Sequence, residues 1–191
     1  RFKILEVHMK KHQFRQDALI EVLHKAQELF GYLEDDLLLF IAARLKLPPS
    51  RGYGVATDAA GNAYVTGHYQ STDAQVDGKA LPNAGDYDVF LAKYDTSGTL
   101  LWIRTAGGKG YDYGHGVVVD SKGDIVITGA VAGEAKFGDV TVNAGSTTRP
   151  IFCAKYDAAG ALKWVKTTGG KFSGSGHGLG VDGKDAIYIG G

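Results

Sequence analysis

The sequence predicts a mainly β protein with an α-helical N-terminal segment. Residues 1–50 contain a single glycine, Gly31, and their apolar residues recur with helical spacing. Every other glycine of the chain lies in residues 51–191, where short β-branched and aromatic runs alternate with Asp/Gly turns. The change between the two patterns falls within the stretch SRGYGVATDAAGNAYVTG at 50–67.

The N-terminal segment, residues 1–51, is predicted to form two helices. Between residues 14 and 30 the apolar side chains follow one helical stripe, and Gly31 stands where helices commonly end. Residues 37–45, LLLFIAARL, are apolar around most of a second helix, which a Pro-Pro pair then ends. Two short helices cannot bury that surface alone, so the segment needs a partner.

Residues 1–57 resemble the N-terminal helical part of the E-type subunit of NADH:quinone oxidoreductases and of the related hydrogenase diaphorases. The resemblance rests on HKAQELFGYL and on LKLPPSR followed by YGVAT. It implies a diaphorase-type partner for residues 14–46, and a thioredoxin-like domain in which four cysteines hold a [2Fe-2S] cluster. After Thr57 the sequence leaves that pattern, and because Cys153 is its one cysteine no cluster ligand carries over.

An internal repeat organises the rest of the chain. GVATDAAGNAYVTG at 54–67 returns as GVVVDSKGDIVITG at 116–129 and as GLGVDGKDAIYIGG at 178–191, each time at an offset of 62. At this offset one position in three is identical between 54–115 and 116–177. We therefore predict two whole units, 54–115 and 116–177, and the partial unit 178–191.

Each unit is predicted to form four strands. In the first unit these are GVATD, NAYVTG, DVFLAKYD and LLWIRTAGG, joined in part by Asp-x-x-Gly turns. Four-stranded units in radial repetition are typical of β-propellers, so we predict an incomplete β-propeller of two blades and the start of a third. Because an open ring leaves strand edges uncovered, we expect self-association, aggregation or marginal stability.

The units resemble SBBP repeats, a bacterial β-propeller family, over residues 52–191. The matching features are GVATDAAGNAYVTG, DVFLAKYDTSGTLLW and GGKGYDYG. The resemblance implies a secreted or surface scaffold that binds protein or carbohydrate. The helical family works in the cytoplasm, so the localisation stays open.

The junction between the two resemblances is predicted at Arg51/Gly52. Gly52, Gly114 and Gly176 share the offset of 62, so the repeat already holds at the first of them. We therefore interpret the chain as a chimera and as a fragment. Natural recombination, deliberate fusion and an assembly of two unrelated reads all stay open as its origin.

No catalytic, cofactor-binding or metal-binding residue is predicted. The repeated aspartates are expected to cap turns, with calcium binding as the alternative: Asp58, Asp95, Asp120, Asp157 and Asp182. The histidines are expected to be structural rather than metal-ligating: His8, His12, His24, His115 and His177.

Three further features are interpreted as structural. Trp102 and Trp164 are expected to pack in the blade cores, with an aromatic lining for a glycan or peptide as the alternative. Cys153 is expected to be a small buried hydrophobe. The glycine-rich stretch 106–116 is expected to connect two units, because it lacks the Lys-Ser/Thr pair and helix of a phosphate loop.

Composition restricts the partners. The net charge is zero, with 21 basic and 21 acidic residues, which argues against nucleic acid or anionic membranes. No apolar run approaches the ~20 residues of a membrane span. We predict a non-enzymatic repeat scaffold or binding module for protein or carbohydrate, fused to a docking-type helical segment. The alternative is a truncated E-type subunit for electron transfer whose cluster domain is missing.

Overall fold

The computed structural model is mainly β with one N-terminal helix, which confirms the predicted class at that level. It describes residues 1–11, 22, 25–26, 29–30, 54–70, 73–76, 78–145, 148–169 and 173–191. The predicted helix at 37–45, the helix end at Gly31 and the junction at Arg51/Gly52 lie outside the described residues. So do His12 and His24.

Helix α1 (Phe2–Lys11) was not among the predicted elements. Leu5 and Met9 lie one turn apart on its buried face. The described residues of the predicted helix at 14–30 are helical, and two of them, Val22 and Ala26, are fully buried. None of the helices in the described part of the chain is long and apolar enough to cross a membrane.

The first repeat unit is an antiparallel sheet of strands in the order β1-β2-β5-β6. The strands of this unit are β1 (Gly54–Thr57), β2 (Ala63–Tyr69), β3 (Gln75–Val76), β4 (Lys79–Ala80), β5 (Asp88–Tyr94) and β6 (Leu100–Gly108). The four predicted strands are therefore present. The small hairpin β3–β4 between the second and third of them was not predicted.

The second unit repeats this arrangement in the order β7-β8-β11-β12. Its strands are β7 (Tyr113–Val119), β8 (Ile125–Ala130), β9 (Glu134–Phe137), β10 (Val140–Asn143), β11 (Ile151–Tyr156) and β12 (Leu162–Thr167). The partial third unit is the hairpin of β13 (Gly178–Val181) and β14 (Ile187–Gly190). The sheets do not close on one another.

The prediction of four strands per sheet is wrong for the first unit, whose sheet has six. The hairpin β9–β10 of the second unit adds to β6, with Ala106 opposite Phe137 and Gly108 opposite Ala135. Phe137 is fully buried, and its ring centroid lies 5.1 Å from that of Phe152. Phe137 on β9 and Phe152 on β11 thus bury an apolar pair between the two sheets, which favours the addition of the hairpin to β6.

The predicted turn caps are confirmed at all five aspartates. In each turn one carboxylate oxygen accepts the amides of the second and fourth residues after the aspartate. The third residue after the aspartate has a positive φ, between 62° and 84°. It is glycine in four turns and Asp185 in the fifth, where a non-glycine residue tolerates the left-handed region at a cost.

Glycines at the repeat offset allow successive units to touch. A Cβ on Gly54 would lie 2.5 Å from the carbonyl oxygen of His115, so β1 and β7 approach closely. A Cβ on Gly116 would lie 2.9 Å from the Cβ of Leu179 on β13. The first strands of the three units therefore lie against one another in sequence order.

We expect Gly129→Ala to lower the free energy of unfolding by about 2 kcal/mol, the usual range for overpacking. Its Cβ would meet the carbonyl oxygen of Tyr113 and the ring of Phe152, so backbone must move. Urea unfolding measures the change. Gly180→Ala is the matched control, because no atom lies within 4 Å of its added Cβ. Equal losses in the two variants would contradict the prediction.

Candidate functional site

Six aromatic and imidazole rings meet at one end of the two sheets. We call them the ring cluster: His68, Tyr87, Tyr111, Tyr113, His115 and His177. They come together because the end of β2, the start of β7 and the segments before β5 and β13 lie at the same end of the antiparallel arrangement. Tyr87 and Tyr111 also form a parallel bridge.

His68 forms the buried floor of the ring cluster. Its ring centroid lies 4.8 Å from Tyr113 and 5.3 Å from Tyr87, both edge to face. Its side chain is buried, and Nδ1 has no hydrogen-bond partner among the residues that the structure describes. Burial lowers the pKa of His68, so the ring is neutral at pH 7.

The other end of the ring cluster reaches solvent. Tyr111 is 44% exposed, and His177 is also exposed. The His115 and His177 centroids lie 4.4 Å apart. Burial, and then the neighbouring His177 and His68, lower the pKa of His115 to about 4. The Arg149 guanidinium lies 5.8 Å from the Tyr113 ring centre, so the cluster combines ring faces with one cationic side chain.

Two buried carboxylates underlie this end of the fold. Both Asp88 and Asp112 approach Gly107, where an added Cβ would lie 3.0 Å from Asp112 Oδ2. Asp112 accepts the Gly108 amide at 2.7 Å and the Ala132 amide at 2.8 Å. Asp112 thus ties the glycine-rich loop to the second unit, and its negative charge would repel a phosphate there.

We expect the carboxyl group of Asp112 to titrate near pH 6 in the folded chain. Burial raises its pKa from 3.8 to about 6, against the two backbone hydrogen bonds that lower it. Since the folded state holds this proton more tightly, Asp112's contribution to stability falls as the pH rises from about 4 through about 6. Carboxyl ¹³C NMR measures the midpoint, and Asp112→Asn assigns the signal. A midpoint below 4 would contradict the prediction.

The expected packing of the two tryptophans in the blade cores is found for Trp102 and only in part for Trp164. Trp102 packs against the core and Tyr64, and its Nε1 donates to the carbonyl of Ala158 in the next unit at 3.2 Å. The neighbouring Lys93 Nζ donates to the same carbonyl, and Arg104 Nε donates to the Gly160 carbonyl at 2.8 Å. Trp164 is half-buried and has no such neighbour among the described residues.

The remaining predicted residues occupy structural positions. His115 and His177 lie together in the ring cluster, whereas His8 lies on α1. Burial raises the pKa of the Cys153 thiol to about 11, which suits a packing residue and not a nucleophile. Within the described ranges, no three His, Cys, Asp or Glu side chains group as metal ligands.

Sequence reasoning missed four members of the ring cluster and both buried aspartates. A usable signal was present in the repeat. At the offset of 62, His68, Tyr87, Tyr111 and Tyr113 correspond to Ala130, Arg149, Ser173 and Ser175. Asp88 and Asp112 correspond to Pro150 and Gly174. A residue whose type differs from its equivalent in the other unit is not needed for the shared fold, and such a difference therefore indicates a role specific to one unit.

Residues 5–58 match the family of thioredoxin-like [2Fe-2S] ferredoxins. The match covers the helical segment and ends at Asp58, one residue beyond β1. In the structure, however, β1 pairs with β2 as the first strand of a repeat unit. Residues 54–57 therefore serve the β part of the molecule while they also fit the helical family.

Two curated relatives each match 71% of this chain. Because the helical segment is much shorter than that, each match includes residues of the repeat units. Regulatory protein FlaEY of Caulobacter vibrioides is 30% identical over 139 residues. An uncharacterized WD repeat-containing protein, L264, of Acanthamoeba polyphaga mimivirus is 25% identical over 170 residues. The chain spans 15% and 12% of the lengths of these relatives. A ferredoxin-type match beside a WD repeat-containing relative supports a chimera.

The residues present do not fit the cluster that the matching family is named for. A [2Fe-2S] cluster is held by four ligands, usually cysteine thiolates. This chain has one cysteine, Cys153, which lies in β11 with its pKa raised by burial.

Proposed function

We propose that the β part is a non-enzymatic scaffold of SBBP type, an incomplete β-propeller that binds a protein or carbohydrate through the ring cluster. The observation that carries the proposal is the convergence of six aromatic and imidazole rings at one end of the sheets, open to solvent at Tyr111 and His177. Aromatic faces stack on the apolar faces of sugars and on peptide side chains, while tyrosine hydroxyls add hydrogen bonds.

The propeller arrangement is supported by the packing of β1, β7 and β13 against one another at the repeat glycines Gly54 and Gly116. The WD repeat in the name of the viral relative agrees with it. Association through the open edges is part of the proposal. Sedimentation velocity tests this part, and a monomer that unfolds cooperatively would contradict it.

Ligand binding is tested with glycan and peptide arrays, followed by calorimetry on Tyr111→Ala. Tyr111 is 44% exposed, so its loss should leave the fold intact while it weakens binding about tenfold or more. Tyr188→Ala, an equally large deletion at an exposed tyrosine outside the ring cluster, is the matched control. Unchanged binding in Tyr111→Ala, or no ligand for the parent chain, would refute the proposal.

A second candidate function is favoured by the family match at residues 5–58. In it, the helical segment is a remnant of an E-type subunit that docks on a flavin-bearing diaphorase partner without a cluster of its own. Ile4 and Val7 support it, because they leave exposed apolar surface on α1.

Co-purification with a diaphorase flavoprotein tests this candidate, and Ile4→Glu with Val7→Glu should abolish it. The pair Lys3→Glu and Lys10→Glu on the same helix is the control for charge. Visible and EPR spectra of the purified chain provide a further test. A [2Fe-2S] signal would overturn the assignment of both functions.

A further inference from the structure

Two buried carboxylates face the space that Gly107 leaves open because it has no side chain. Asp88, at the start of β5, is 2% exposed, and Asp112, just before β7, is fully buried. A Cβ added to Gly107 would overlap Asp88 Oδ1 and would lie 3.0 Å from Asp112 Oδ2. We call this small volume inside the protein the Gly107 space.

One carboxylate oxygen that points into the Gly107 space lacks a partner. Asp88 Oδ1 is buried and has no hydrogen bond to any residue that the structure describes. Asp88 Oδ2, in contrast, accepts the Ala84 amide. A buried carboxylate oxygen has a desolvation cost that folded proteins offset with a proton, a water molecule or a cation. Asp88 Oδ1 therefore points to a group that fills the Gly107 space.

A cation suits the hydrogen bonds of the two carboxylates better than a shared proton does. Asp112 accepts the Gly108 amide on Oδ2 and the Ala132 amide on Oδ1, and amide donors stabilise the ionised form of a carboxylate. Two ionised carboxylates at close range repel each other strongly when they are buried. None of the ion pairs among the described residues involves Asp88 or Asp112. A positive charge from outside the chain would balance them.

The ligand atoms favour calcium among the biological cations. Carboxylate and main-chain oxygens suit calcium and magnesium, whereas zinc and copper prefer histidine and cysteine. In the part of the chain that the structure describes, no third His, Cys, Asp or Glu side chain joins the two aspartates as a metal ligand. A divalent ion neutralises their two charges. Calcium accepts irregular sets of carboxylate, carbonyl and water oxygens, whereas magnesium requires a regular octahedron.

We propose that Asp88 and Asp112 form a calcium site in the Gly107 space. Asp88 Oδ1 and Asp112 Oδ2 are its charged ligands, and water or main-chain oxygens complete the coordination. In the second unit the equivalent residues are Pro150 and Gly174, so the site belongs to the first unit. The inference goes beyond the proposed scaffold function and does not require that the ring cluster binds a ligand.

The calcium site would strengthen a link that hydrogen bonds already form. The Asp112 amide donates to the carbonyl of Tyr87, next to Asp88 in the chain, at 2.9 Å. Through its side chain, Asp112 also holds the Ala132 amide of the second unit and the Gly108 amide of the glycine-rich loop. Bound calcium should therefore slow the local opening that exposes the amides of Gly108 and Asp112.

Calorimetry of the full chain with calcium chloride, at constant ionic strength, measures the binding, and amide hydrogen exchange locates it. We expect one saturable site with a Kd of about 0.1 to 1 mM, the range of weaker calcium sites. The Gly108 and Asp112 amides should exchange more slowly with calcium than with a chelator. The titration of Asp112 near pH 6 applies to the calcium-free chain, because a bound cation favours the ionised carboxylate.

Asp88→Asn is the decisive variant, because its side-chain oxygen can still accept the Ala84 amide. We expect no saturable calcium binding up to about 10 mM. In chelator the variant should unfold at a temperature no lower than the parent does, because the substitution removes a buried charge that has no cationic partner. Asp86→Asn, at an exposed aspartate of the same loop, is the matched control and should bind calcium as the parent does.

Three outcomes would overturn the inference. The first is the absence of saturable binding to the parent chain up to about 10 mM calcium. The second is binding that Asp88→Asn retains, which would place calcium on other carboxylates. The third is a gain in stability on acidification that calcium does not affect and Asp88→Asn removes, which would assign a shared proton to the pair. The ligand proposal fails separately, because Tyr111→Ala tests the ring cluster.

Discussion

Phe152→Ala should lower the free energy of unfolding by about 4 kcal/mol, the largest effect expected of a single core truncation here. Phe152 is fully buried on β11, and its ring packs at a tilt of 59° against Phe137 of the hairpin β9–β10. The substitution removes apolar contact with the hairpin β9–β10, which belongs to the sheet of the first unit, and leaves a cavity between the two sheets. Urea unfolding followed by far-UV circular dichroism measures the change.

Phe90→Ala is the control that the repeat itself supplies. Phe90 occupies the equivalent position on β5 but is only half-buried. The substitution deletes the same atoms, but from a side chain that is only half-buried, so we expect roughly half the loss in the free energy of unfolding, about 2 kcal/mol. Similar losses in the two variants would show that the seam between the units adds nothing to the stability.

Lys155→Met should lower the free energy of unfolding by about 3 kcal/mol at pH 7, because it leaves the buried carboxylate of Asp120 without a cationic partner. Lys155 Nζ lies 2.5 Å from Asp120 Oδ2 and 3.3 Å from Asp124 Oδ2. The Asp120 side chain is only 1% exposed, so solvent cannot replace the lost ammonium group. Lys163→Met is the matched control: Lys163 pairs with Asp124 but is 47% exposed, and we expect a loss below about 1 kcal/mol.

The effect of Lys155→Met should depend on pH in a defined direction. Burial alone would raise the pKa of Asp120, but hydrogen bonds from Lys155 and two amides outweigh it and lower the pKa below 3.8. The hydrogen bond to Asp120 raises the pKa of Lys155 above 10.5. The ion pair therefore stabilises the fold fully between pH 3.8 and pH 10.5. This stabilisation is lost when the pH falls through the folded pKa of Asp120 or rises through the folded pKa of Lys155. A loss independent of pH would contradict the ion pair as its cause.

The parts of the fold that could be predicted are those decided by local chemistry. Each of the five turns needs only an aspartate to accept two nearby amides and, three residues later, a residue that tolerates positive φ, so the turns follow from short stretches of sequence. The four main strands of each unit follow from alternating β-branched and aromatic runs between those turns.

The parts that could not be predicted depend on which distant segments meet. The sequence of the hairpin β9–β10 does not indicate that it pairs with β6 of the other unit. That pairing depends on the tertiary contact between Phe137 and Phe152. The ring cluster joins residues from His68 to His177, which no local pattern relates. The repeat offset aligned only the two histidines His115 and His177.

The main strand positions and the turn caps could be predicted from the amino-acid sequence, because they depend on neighbours along the chain. The tertiary structure alone decided which equivalent residues are buried. Tyr64 and Tyr188 share one repeat position and the same bond to a capping aspartate, yet one is fully buried and the other is 61% exposed. Burial requires a covering strand, and in the described part of the chain only Tyr64 has one.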